Sequence, residues 1–408
     1  MPLNVSYMGT KRRIADRVAQ IVDTQRKGPL LDLFAGMCSV STAVGQSRPV
    51  WCNDVQKFAS SVATAFFTSP PLSFDSKHVV NLITPLYELN SSKLLSRFAH
   101  ELFQEELAFD SSDVSQIRSL EQHMPNVAAN EAFFLERVTL ARYPFASPYR
   151  LFAITYSGGY FGLAQSIEID SIRYAIDQLY ANSVISIADH RWLCLAICQA
   201  ASRVATTTGH FAQHMRVNEH NLARFIAQRR REVWSEWLRA VYENHPVGTT
   251  SWRASNRVFR QDATGLLDDL QNDDAIPAVV YADPPYTRDQ YSRYYHVYET
   301  LLQYDYPQSY GSGRYRPDRF RSPYSMKTRV GEAMKGLISR CAKLGSSLVL
   351  SYPERGMLDH SDEVIPTLLR RHYGRKPQVH MVTSSHSSFG ASKGRQNYTV
   401  QERIYVAN

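Results

Sequence analysis

The sequence has few cysteines, and their spacing does not indicate cross-links or a metal cluster. The five cysteines are an odd number, lie scattered along 408 residues and stand mostly in apolar runs. We therefore expect buried free thiols in a reducing cytoplasm. Cys194 and Cys198 have the spacing of successive helical turns. No second Cys or His pair accompanies them at zinc-site spacing, so no metal is predicted.

The sequence also lacks membrane and targeting signals. No run of about 18 apolar residues occurs, so we expect neither a membrane span nor a membrane partner. The stretch MPLNVSYMGTKRR carries charges with no apolar segment behind them, so no signal peptide is expected. Internal repeats and low-complexity tracts are lacking too. The sequence therefore predicts a globular cytoplasmic protein.

What the chain does have is enough apolar residues for a large core. Apolar residues make up 44% and charged residues 21% of the sequence, close to ordinary globular usage. For 408 residues, one core domain with one sizeable insertion is the natural expectation. The formal net charge of +8 favours an anionic partner, although many mildly basic enzymes bind no nucleic acid.

Strand and helix signals alternate in two parts of the sequence. A helix predicted from Arg12 to about Thr24 is followed by apolar runs from Leu30 to Phe34 and from Val50 to Cys52. This order of strand, glycine turn, helix, strand and acid is typical of a Rossmann-like βαβ unit. Further strands are predicted at 258–260, 278–282, 347–352, 379–383 and 403–406, and helices at 288–303, 330–344 and 362–372.

Between these two parts, helical periodicity dominates. Helices are predicted at 94–103, 172–180, 192–204 and 222–241. We therefore predict an α/β fold in which residues 1–67 and 256–408 form one split domain. Residues 68–255 would form a large, mainly helical inserted domain.

The sharpest chemical feature is a buried strand that ends in Asp283-Pro284-Pro285-Tyr286. Proline fixes φ and keeps the preceding residue extended, so this loop is stiff. The Asp283 carboxylate and the Pro284 carbonyl would accept the two hydrogens of an adenine amino group, whose nitrogen could then attack a sulfonium methyl in line. Tyr286 would stack on a base that has left the duplex. The plainer alternative is a strand end with a helix-capping aspartate.

Four other elements accompany this loop. Gly36, in the turn from Asp32 to Cys38, would let a cofactor approach the backbone, and Phe34 would pack on an adenosine. Asp54 follows the second strand, where an acid accepts hydrogen bonds from ribose hydroxyls. The other two are Tyr7-Met8-Gly9-Thr10-Lys11, whose lysine would bind a methionine carboxylate, and Asp262-Ala263, suited to an adenine amino group. Each could instead be an ordinary turn, cap or loop acid, but together they follow one order.

In these motifs the sequence resembles the Dam-type family of DNA adenine-N6 methyltransferases. Its members share a Y-x-G-x-K element, an F-x-G-x-G loop, an acid after the second strand, and D-P-P-Y. Cys38 stands where the family's second glycine usually is, which would narrow the space beside the methionine moiety. The tail from Ser384 to Val406, including Ser388-Phe389-Gly390, is similar to the family's C-terminal hairpin. The matching positions are Tyr7, Gly9, Lys11, Phe34, Gly36, Asp54 and Asp283 to Tyr286, and the resemblance covers roughly residues 1–67 and 256–408.

The resemblance implies a Rossmann-like, S-adenosylmethionine-dependent methyltransferase that methylates a flipped adenine in double-stranded DNA. A restriction-modification or phage-defence setting is expected, with restriction or defence-system proteins as candidate partners and a monomer or weak dimer as the assembly. The insertion would recognise the target sequence. The predicted cofactor-binding residues are Tyr7, Gly9, Lys11, Asp32, Phe34, Gly36, Asp54, Asp262 and Ala263.

Basic and aromatic residues are interleaved downstream of the catalytic loop. The segment from Arg314 to Arg321, with hinge glycines at Gly311 and Gly313, suits phosphate contact and base stacking, although it could be an ordinary exposed loop. His296 is interpreted as a hydrogen-bonded structural histidine. The predicted DNA contacts are Arg288, Tyr291, Arg314, Arg316, Arg319 and Arg321.

Other functions compete with this one. In an RNA or cytosine-N4 methyltransferase a similar loop would serve, but the acid at Asp283 favours adenine, because a serine commonly begins the loop in cytosine-N4 enzymes. A catalytically silent DNA-binding subunit with a methyltransferase fold would need none of Lys11, Asp54 and Asp283.

Overall fold

A computed structural model of the chain describes residues 3–7, 9, 11–127, 130–387 and 397–408. Its centre is a seven-stranded sheet with the order β3-β2-β1-β4-β5-β7-β6. The strands are β1 (Leu30–Asp32), β2 (Val50–Asn53), β3 (Arg257–Phe259), β4 (Val279–Ala282), β5 (Ser347–Pro353), β6 (Gln378–Ser387) and β7 (Asn397–Ala407). Strands β1 to β5 are parallel, and β7 runs antiparallel between β5 and β6. The predicted α/β class is confirmed.

Helices cover both faces of the sheet. Those near the parallel strands are α1 (Ala15–Asp23), α2 (Ser39–Val44), α3 (Lys57–Phe67), α14 (Ala263–Asp269), α15 (Tyr291–Tyr294), α16 (His296–Gln303), α17 (Val330–Lys343) and α18 (Ser361–Tyr373). The segment between α3 and β3 contains α4 (Ser76–Arg97), α5 (Ala99–Ser111), α6 (Val114–His123), α7 (Glu131–Arg142), α8 (Leu151–Thr155), α9 (Leu163–Ala181), α10 (Ile187–Val204), α11 (Leu222–Arg229), α12 (Val233–Glu243) and α13 (Thr250–Ala254).

The sheet separates two hydrophobic cores because side chains alternate along each strand. Leu30 and Val279 contribute to the core that also contains α9 and α10, whereas Leu31 and Val280 contribute to the core under α14, α17 and α18. Burial on both faces explains why these strands read as continuous apolar runs. The helical segment shares the first core with the sheet, and Trp192 of α10 meets the ring of Phe66 of α3.

Strand order places a crevice between β1 and β4. From β1 the chain adds β2 and β3 on one side, whereas β4 and β5 lie on the other side. Such a reversal leaves an opening beyond the carboxyl ends of the two central strands. Asp32 is paired in register with Tyr281, so the segments that follow β1 and β4 leave the sheet at nearly the same level.

Three helices predicted as continuous are broken in the structure. The predicted helix at 94–103 is interrupted at Phe98, and the one at 222–241 stops at Arg229, where Gln165 Nε2 donates to the carbonyls of Gln228 and Arg231. The helix predicted at 288–303 begins only at Tyr291 and is interrupted at Tyr295, whose ring stacks on Tyr7. The hydrophobic periodicity from which these helices are predicted carries no information about such long-range contacts.

A buried polar cluster joins helices α9 and α10. Asp177 Oδ1 accepts from Arg173 Nε at 3.0 Å and lies 2.7 Å from His190 Nε2, while Cys194 Sγ lies 3.8 Å from both ring nitrogens of His190. Although Asp, His and Cys are common metal ligands, Arg173 already supplies a positive charge at the same oxygen. All five cysteines are buried thiols. Among the described residues, no helix combines the length and apolar character needed to cross a membrane.

Asp170 is a second buried acid that connects the helical segment to the sheet side. Its carboxylate accepts from the backbone N–H groups of Phe152 and Ala153 at 2.9 Å each, at the start of α8, and from the Tyr304 hydroxyl at 2.5 Å. Burial raises the pKa of Asp170 to about 7. These three donors have no water within reach to replace a lost acceptor, because Asp170 is fully buried.

We expect Asp170→Ala to lower the free energy of unfolding by about 3–5 kcal/mol, since it leaves several buried donors without an acceptor. Chemical denaturation monitored by circular dichroism measures the change. Asp110→Ala is the matched control, because Asp110 is exposed and paired with Arg230 only at the surface, where an ion pair contributes up to about 1 kcal/mol. Equal losses in the two variants would contradict the assignment.

Candidate active site

A cleft of about 1030 Å³ opens at the carboxyl ends of β1 and β4. The structure brings all of the predicted catalytic and cofactor positions to its walls. They are Tyr7, Gly9, Lys11, Asp32, Phe34, Gly36, Asp54, Asp262, Ala263, Asp283, Pro284, Pro285 and Tyr286.

The glycine turn after β1 is fastened to the end of β2. Gly36 has φ +48°, and its N–H donates to Asp54 Oδ2 at 3.1 Å, while Gln56 N–H donates to Asp54 Oδ1 at 2.9 Å. A Cβ on Gly36 would lie 3.3 Å from the Tyr7 ring, which is tighter than ordinary packing. Burial raises the pKa of Asp54 to about 6, and the hydrogen bonds from Gln56 and Gly36 oppose this rise.

Cys38 lies away from the cleft wall, contrary to the expectation that it narrows the space beside a methionine moiety. It is not among the residues that line the cleft, and its fully buried side chain belongs to the core beneath α2. The reason is its backbone, because Cys38 has φ 54° and ψ 35° in the left-handed region at the N-terminus of α2. Glycine is the residue that adopts this conformation most readily.

The N-terminal segment is held against the cleft by aromatic contacts. The Tyr7 ring stacks on Tyr295 with 4.1 Å between centroids, and Gln56 Nε2 donates to the Tyr7 hydroxyl at 3.4 Å. Gly9 has φ +73°, and a Cβ there would overlap the Tyr291 hydroxyl. Met8 and Thr10 of the predicted motif lie outside the described residues.

Lys11 lies between two carboxylates. Its Nζ is 3.1 Å from Asp283 Oδ1, also contacts Glu402 Oε1, and lies 5.1 Å from the Tyr286 ring centroid. Burial lowers the pKa of Lys11, but Asp283 and Glu402 outweigh this effect and hold it well above its ordinary value. The predicted partner was a cofactor carboxylate; in the structure the ammonium is paired with carboxylates of the chain itself.

Sequence reasoning missed Glu402 as a site residue. It lies in β7 between the polar residues Gln401 and Arg403, where nothing in the local sequence indicates burial, and 391 positions separate it from Lys11. Both Lys11 and Glu402 affect the pKa of Asp283. Burial raises its pKa, Lys11 opposes the rise, Glu402 adds to it, and the result is about 7.

The remaining predicted acids lie at strand ends. Asp32 accepts from Ser41 Oγ at 2.6 Å, and burial raises its pKa to about 6. Asp262 caps α14 by accepting from Thr264 N–H at 3.0 Å, and it also lines the cleft. Tyr324, which the sequence did not indicate, lines the same region and meets Phe34 edge to face at 5.4 Å.

The structure corrects the prediction for two of the DNA-contacting arginines. Arg314 is buried, and its guanidinium donates to the carbonyls of Thr155 and Ser157. Arg316 is also buried and forms ion pairs with Asp305 and Asp318. Both are held inside the protein because the segment folds back on the helical part instead of projecting as a flexible loop.

The glycines of that segment form a closed turn. Tyr310 and Tyr315 bridge across it, and a Cβ on Gly313 would overlap the Tyr315 ring. The buried His296 lies 2.8 Å from the Gly313 carbonyl, and burial lowers its pKa to about 3, in agreement with a structural role. Of the other predicted contacts, Arg288 and Arg321 are exposed, Arg319 is half-buried against tyrosines, and Tyr291 lines the cleft.

The C-terminal hairpin is formed by β6 and β7, which pair from Gln378↔Val406 to Ser387↔Asn397. The predicted segment Ser388-Phe389-Gly390 lies outside the described residues. The paired part positions Glu402 opposite Pro353 of β5, at the same end of the sheet as Asp283.

The chain has recognisable similarity to known proteins. A family model described as D12 class N6 adenine-specific DNA methyltransferase matches residues 7–134 and 250–342. The chain is 26% identical over 214 residues to Type II methyltransferase M.FokI of Planomicrobium okeanokoites, which is 52% of this chain and 29% of that protein. It is 26% identical over 168 residues to Modification methylase LlaI of Lactococcus lactis subsp. lactis, which is 40% of this chain and 24% of that protein. The chain thus spans less than a third of the length of either relative in these matches.

Cys38 gives a test of the turn geometry. We expect Cys38→Gly to keep the free energy of unfolding within about 1 kcal/mol of the wild type, because relief of the left-handed backbone offsets the lost side-chain burial. Cys38→Val should cost about 2 kcal/mol or more, since a branched Cβ is poorly tolerated at positive φ. Denaturant unfolding measures both. Cys341→Val, in the regular helix α17, is the control, and a cost there as large as at Cys38 would refute the backbone explanation.

Proposed function

Because the chain belongs to the D12 class N6 adenine-specific DNA methyltransferase family, we propose that it methylates the N6 amino group of adenine in double-stranded DNA with S-adenosylmethionine as the methyl donor. The observation that carries the proposal is the position of Asp283. Its carboxylate lies in the same cleft as the glycine turn at Gly36 and the acid Asp54. The proposed site for the methyl donor and the proposed site for the target adenine therefore lie in one cavity.

The residues present fit the proposed methyl donor. Gly36 and Gly9 both have positive φ at the cleft wall, and larger side chains at either position would press on tyrosines that line the cleft. Asp54 would accept hydrogen bonds from ribose hydroxyls, and Asp262 would accept from the adenine amino group. Phe34 would pack against the adenosine. When bound, this cofactor supplies an electrophilic methyl group on sulfur.

The catalytic loop would hold the target amino group between two acceptors. The Lys11 ammonium is paired with Oδ1 of Asp283. The other carboxylate oxygen, Oδ2, would therefore accept one hydrogen of the N6 amino group, and the Pro284 carbonyl would accept the other. Two fixed acceptors orient the nitrogen and favour the pyramidal form that carries a reactive lone pair. Tyr286 would stack on the extruded base.

Asp283 can also take up the proton that the methylated nitrogen releases. A carboxyl with a pKa of about 7 is partly ionised at neutral pH and can accept that proton more readily than an ordinary aspartate. An ionised Asp283 is required before the reaction, so activity should fall as the pH decreases below about 7. Proton loss to water is the alternative route.

We infer that DNA approaches the cleft from the side of Arg288 and Arg321. Arg321 lies between Phe320 and Ser322, which line the cleft, and both arginines are exposed. The helical segment, proposed to recognise the target sequence, contacts α15, whose residues Tyr291 and Ser292 line the cleft, because Phe211 N–H donates to the Tyr294 carbonyl at 2.9 Å. A net charge of +8 favours this encounter.

A restriction-modification setting is the biological role that we propose. The two relatives are named as a type II methyltransferase and a modification methylase. In such a setting the methylated adenines would mark the sites that a restriction enzyme must not cut. The division into residues 1–67 and 256–408 for catalysis and 68–255 for target recognition is part of the same proposal.

Asp283→Ala should lower methyl transfer to DNA by about 1000-fold or more, because the main acceptor for the amino group is lost. Transfer of tritium from labelled S-adenosylmethionine to DNA from a methylation-deficient host measures the rate, and nucleoside mass spectrometry identifies the product. Asp289→Ala, an exposed acid on the same loop, should keep wild-type activity. Label found only in RNA or in N4-methylcytosine would contradict the proposed substrate, and DNA binding with no transfer at all would indicate a silent subunit.

Arg288→Ala and Arg321→Ala should each weaken DNA binding and reduce the slope of log affinity against log salt by about 1, since each would remove one phosphate contact. Fluorescence anisotropy at several salt concentrations gives both quantities. Arg314→Ala is the comparison, because its buried guanidinium should affect unfolding but leave the slope unchanged. An unchanged slope for both exposed arginines would place the DNA on another face.

A further inference from the structure

Glu402 is a buried acid that the proposed reaction does not use. Its side chain is only 1% exposed, and Ser351 Oγ donates to its Oε1 at 2.6 Å. Its Oε2 has no hydrogen-bond partner among the described residues. An ionised carboxylate in such surroundings is costly unless a cation compensates it. The cation that does so is Lys11.

The position of β7 explains how Glu402 reaches the catalytic loop. β5 lies between β4 and β7, and Glu402 pairs in register with Pro353 at the end of β5. Asp283 directly follows Ala282, which pairs with Leu350 of β5. The two carboxylates therefore lie on either side of one strand at the same end of the sheet, and the Lys11 side chain bridges them.

The shared ammonium determines which oxygen of Asp283 faces the cleft. Among the described residues, Lys11 forms ion pairs only with these two acids, at 3.1 Å from Asp283 Oδ1 and in contact with Glu402 Oε1. Held from both sides, Nζ cannot move toward Oδ2 without giving up Glu402. A lysine with one partner would be free to exchange between the two oxygens of Asp283.

Lys11, Asp283 and Glu402 also determine the net charge of this cluster. Two carboxylates and one ammonium leave one excess negative charge in a buried site. The other groups that interact electrostatically with Asp283 are Asp32, whose charge also raises the Asp283 pKa, and the hydroxyls of Tyr281, Tyr286 and Tyr291. Burial raises the pKa of Asp283, Lys11 lowers it and Glu402 raises it again.

We propose that Glu402 is a positioning residue of this active site, whose carboxylate holds the Lys11 ammonium on Oδ1 of Asp283 and so reserves Oδ2 for the target base. The reference to a target base rests on the proposed function, whereas the link from Glu402 to the ionisation of Asp283 does not. Through its charge, Glu402 also raises the pH above which Asp283 is ionised. β7 thereby contributes to the chemistry although it carries no group that touches substrate.

Glu402→Gln tests the proposal because it keeps the size of the side chain and removes its charge. In kinetics with DNA from a methylation-deficient host, kcat should fall about 10-fold, since Lys11 is no longer held on one oxygen. KM for DNA and for S-adenosylmethionine should stay within about twofold. In a plot of kcat against pH, kcat falls on the acidic side as Asp283 becomes protonated. This acidic limb should move to lower pH by about one unit, because a negative charge that opposes the ionisation of Asp283 has been removed.

Two further variants separate positioning from folding. Glu402→Asp retains the charge, so its acidic limb should remain near that of the wild type even if the shorter side chain lowers kcat. Glu354→Gln removes an exposed carboxylate near the same sheet end, where it pairs with Arg403, and should leave kcat and the limb unchanged. An unmoved limb in Glu402→Gln, or a kcat equal to the wild type, would overturn the proposal.

A measurement without DNA distinguishes this proposal from the proposed function. Isotope-edited infrared titration of ligand-free protein labelled with ¹³C-aspartate gives the midpoint of Asp283 protonation, with Asp283→Asn used to assign the band. A lower midpoint in Glu402→Gln than in the wild type supports the link from Glu402 through Lys11 to Asp283, even if the wild type methylates no DNA. An identical midpoint in the two proteins would refute it even if DNA is methylated.

Discussion

The reversal of strand order between β1 and β4 is the constraint on which the site depends. Parallel strands end at a common edge, and a reversal leaves that edge uncovered between the two central strands. The register of Asp32 with Tyr281 brings the glycine turn and the acid-proline loop to the same level. The cleft is therefore bounded by the Gly36 turn on one side and by Asp283 on the other.

A second layer of organisation is electrostatic. Lys11, Asp283 and Glu402 come from the N-terminal segment, the loop after β4 and the strand β7, and they meet in a site from which water is largely excluded. In such a place each charge strongly affects the ionisation of the others. The antiparallel hairpin of β6 and β7 is thus more than a cover for the sheet edge, because it delivers one of the three charges.

The helical segment is fixed to the cleft by packing. It shares one continuous core with a face of the sheet, and Asp170 joins α8 and α9 to Tyr304 just after α16. Arg314 adds buried contacts between the same parts of the chain, because its guanidinium donates to the carbonyls of Thr155 and Ser157. These contacts fix the helical segment to α15, where Phe211 N–H donates to the carbonyl of Tyr294 shortly after the catalytic loop.

The α/β class and the walls of the cleft could be predicted from the sequence, because Gly36, Asp54, Asp262 and Asp283 each follow an apolar run that forms a parallel strand, and such strands end together. What depended on contacts between distant residues could be read only from the tertiary structure. Glu402 joins the site across 391 residues, the side chain of Cys38 turns into the core, and the arginines 314 and 316 are buried although their local pattern resembles an exposed loop. Burial and charge pairing arise only when remote segments pack together, and a local pattern of residue types does not specify them.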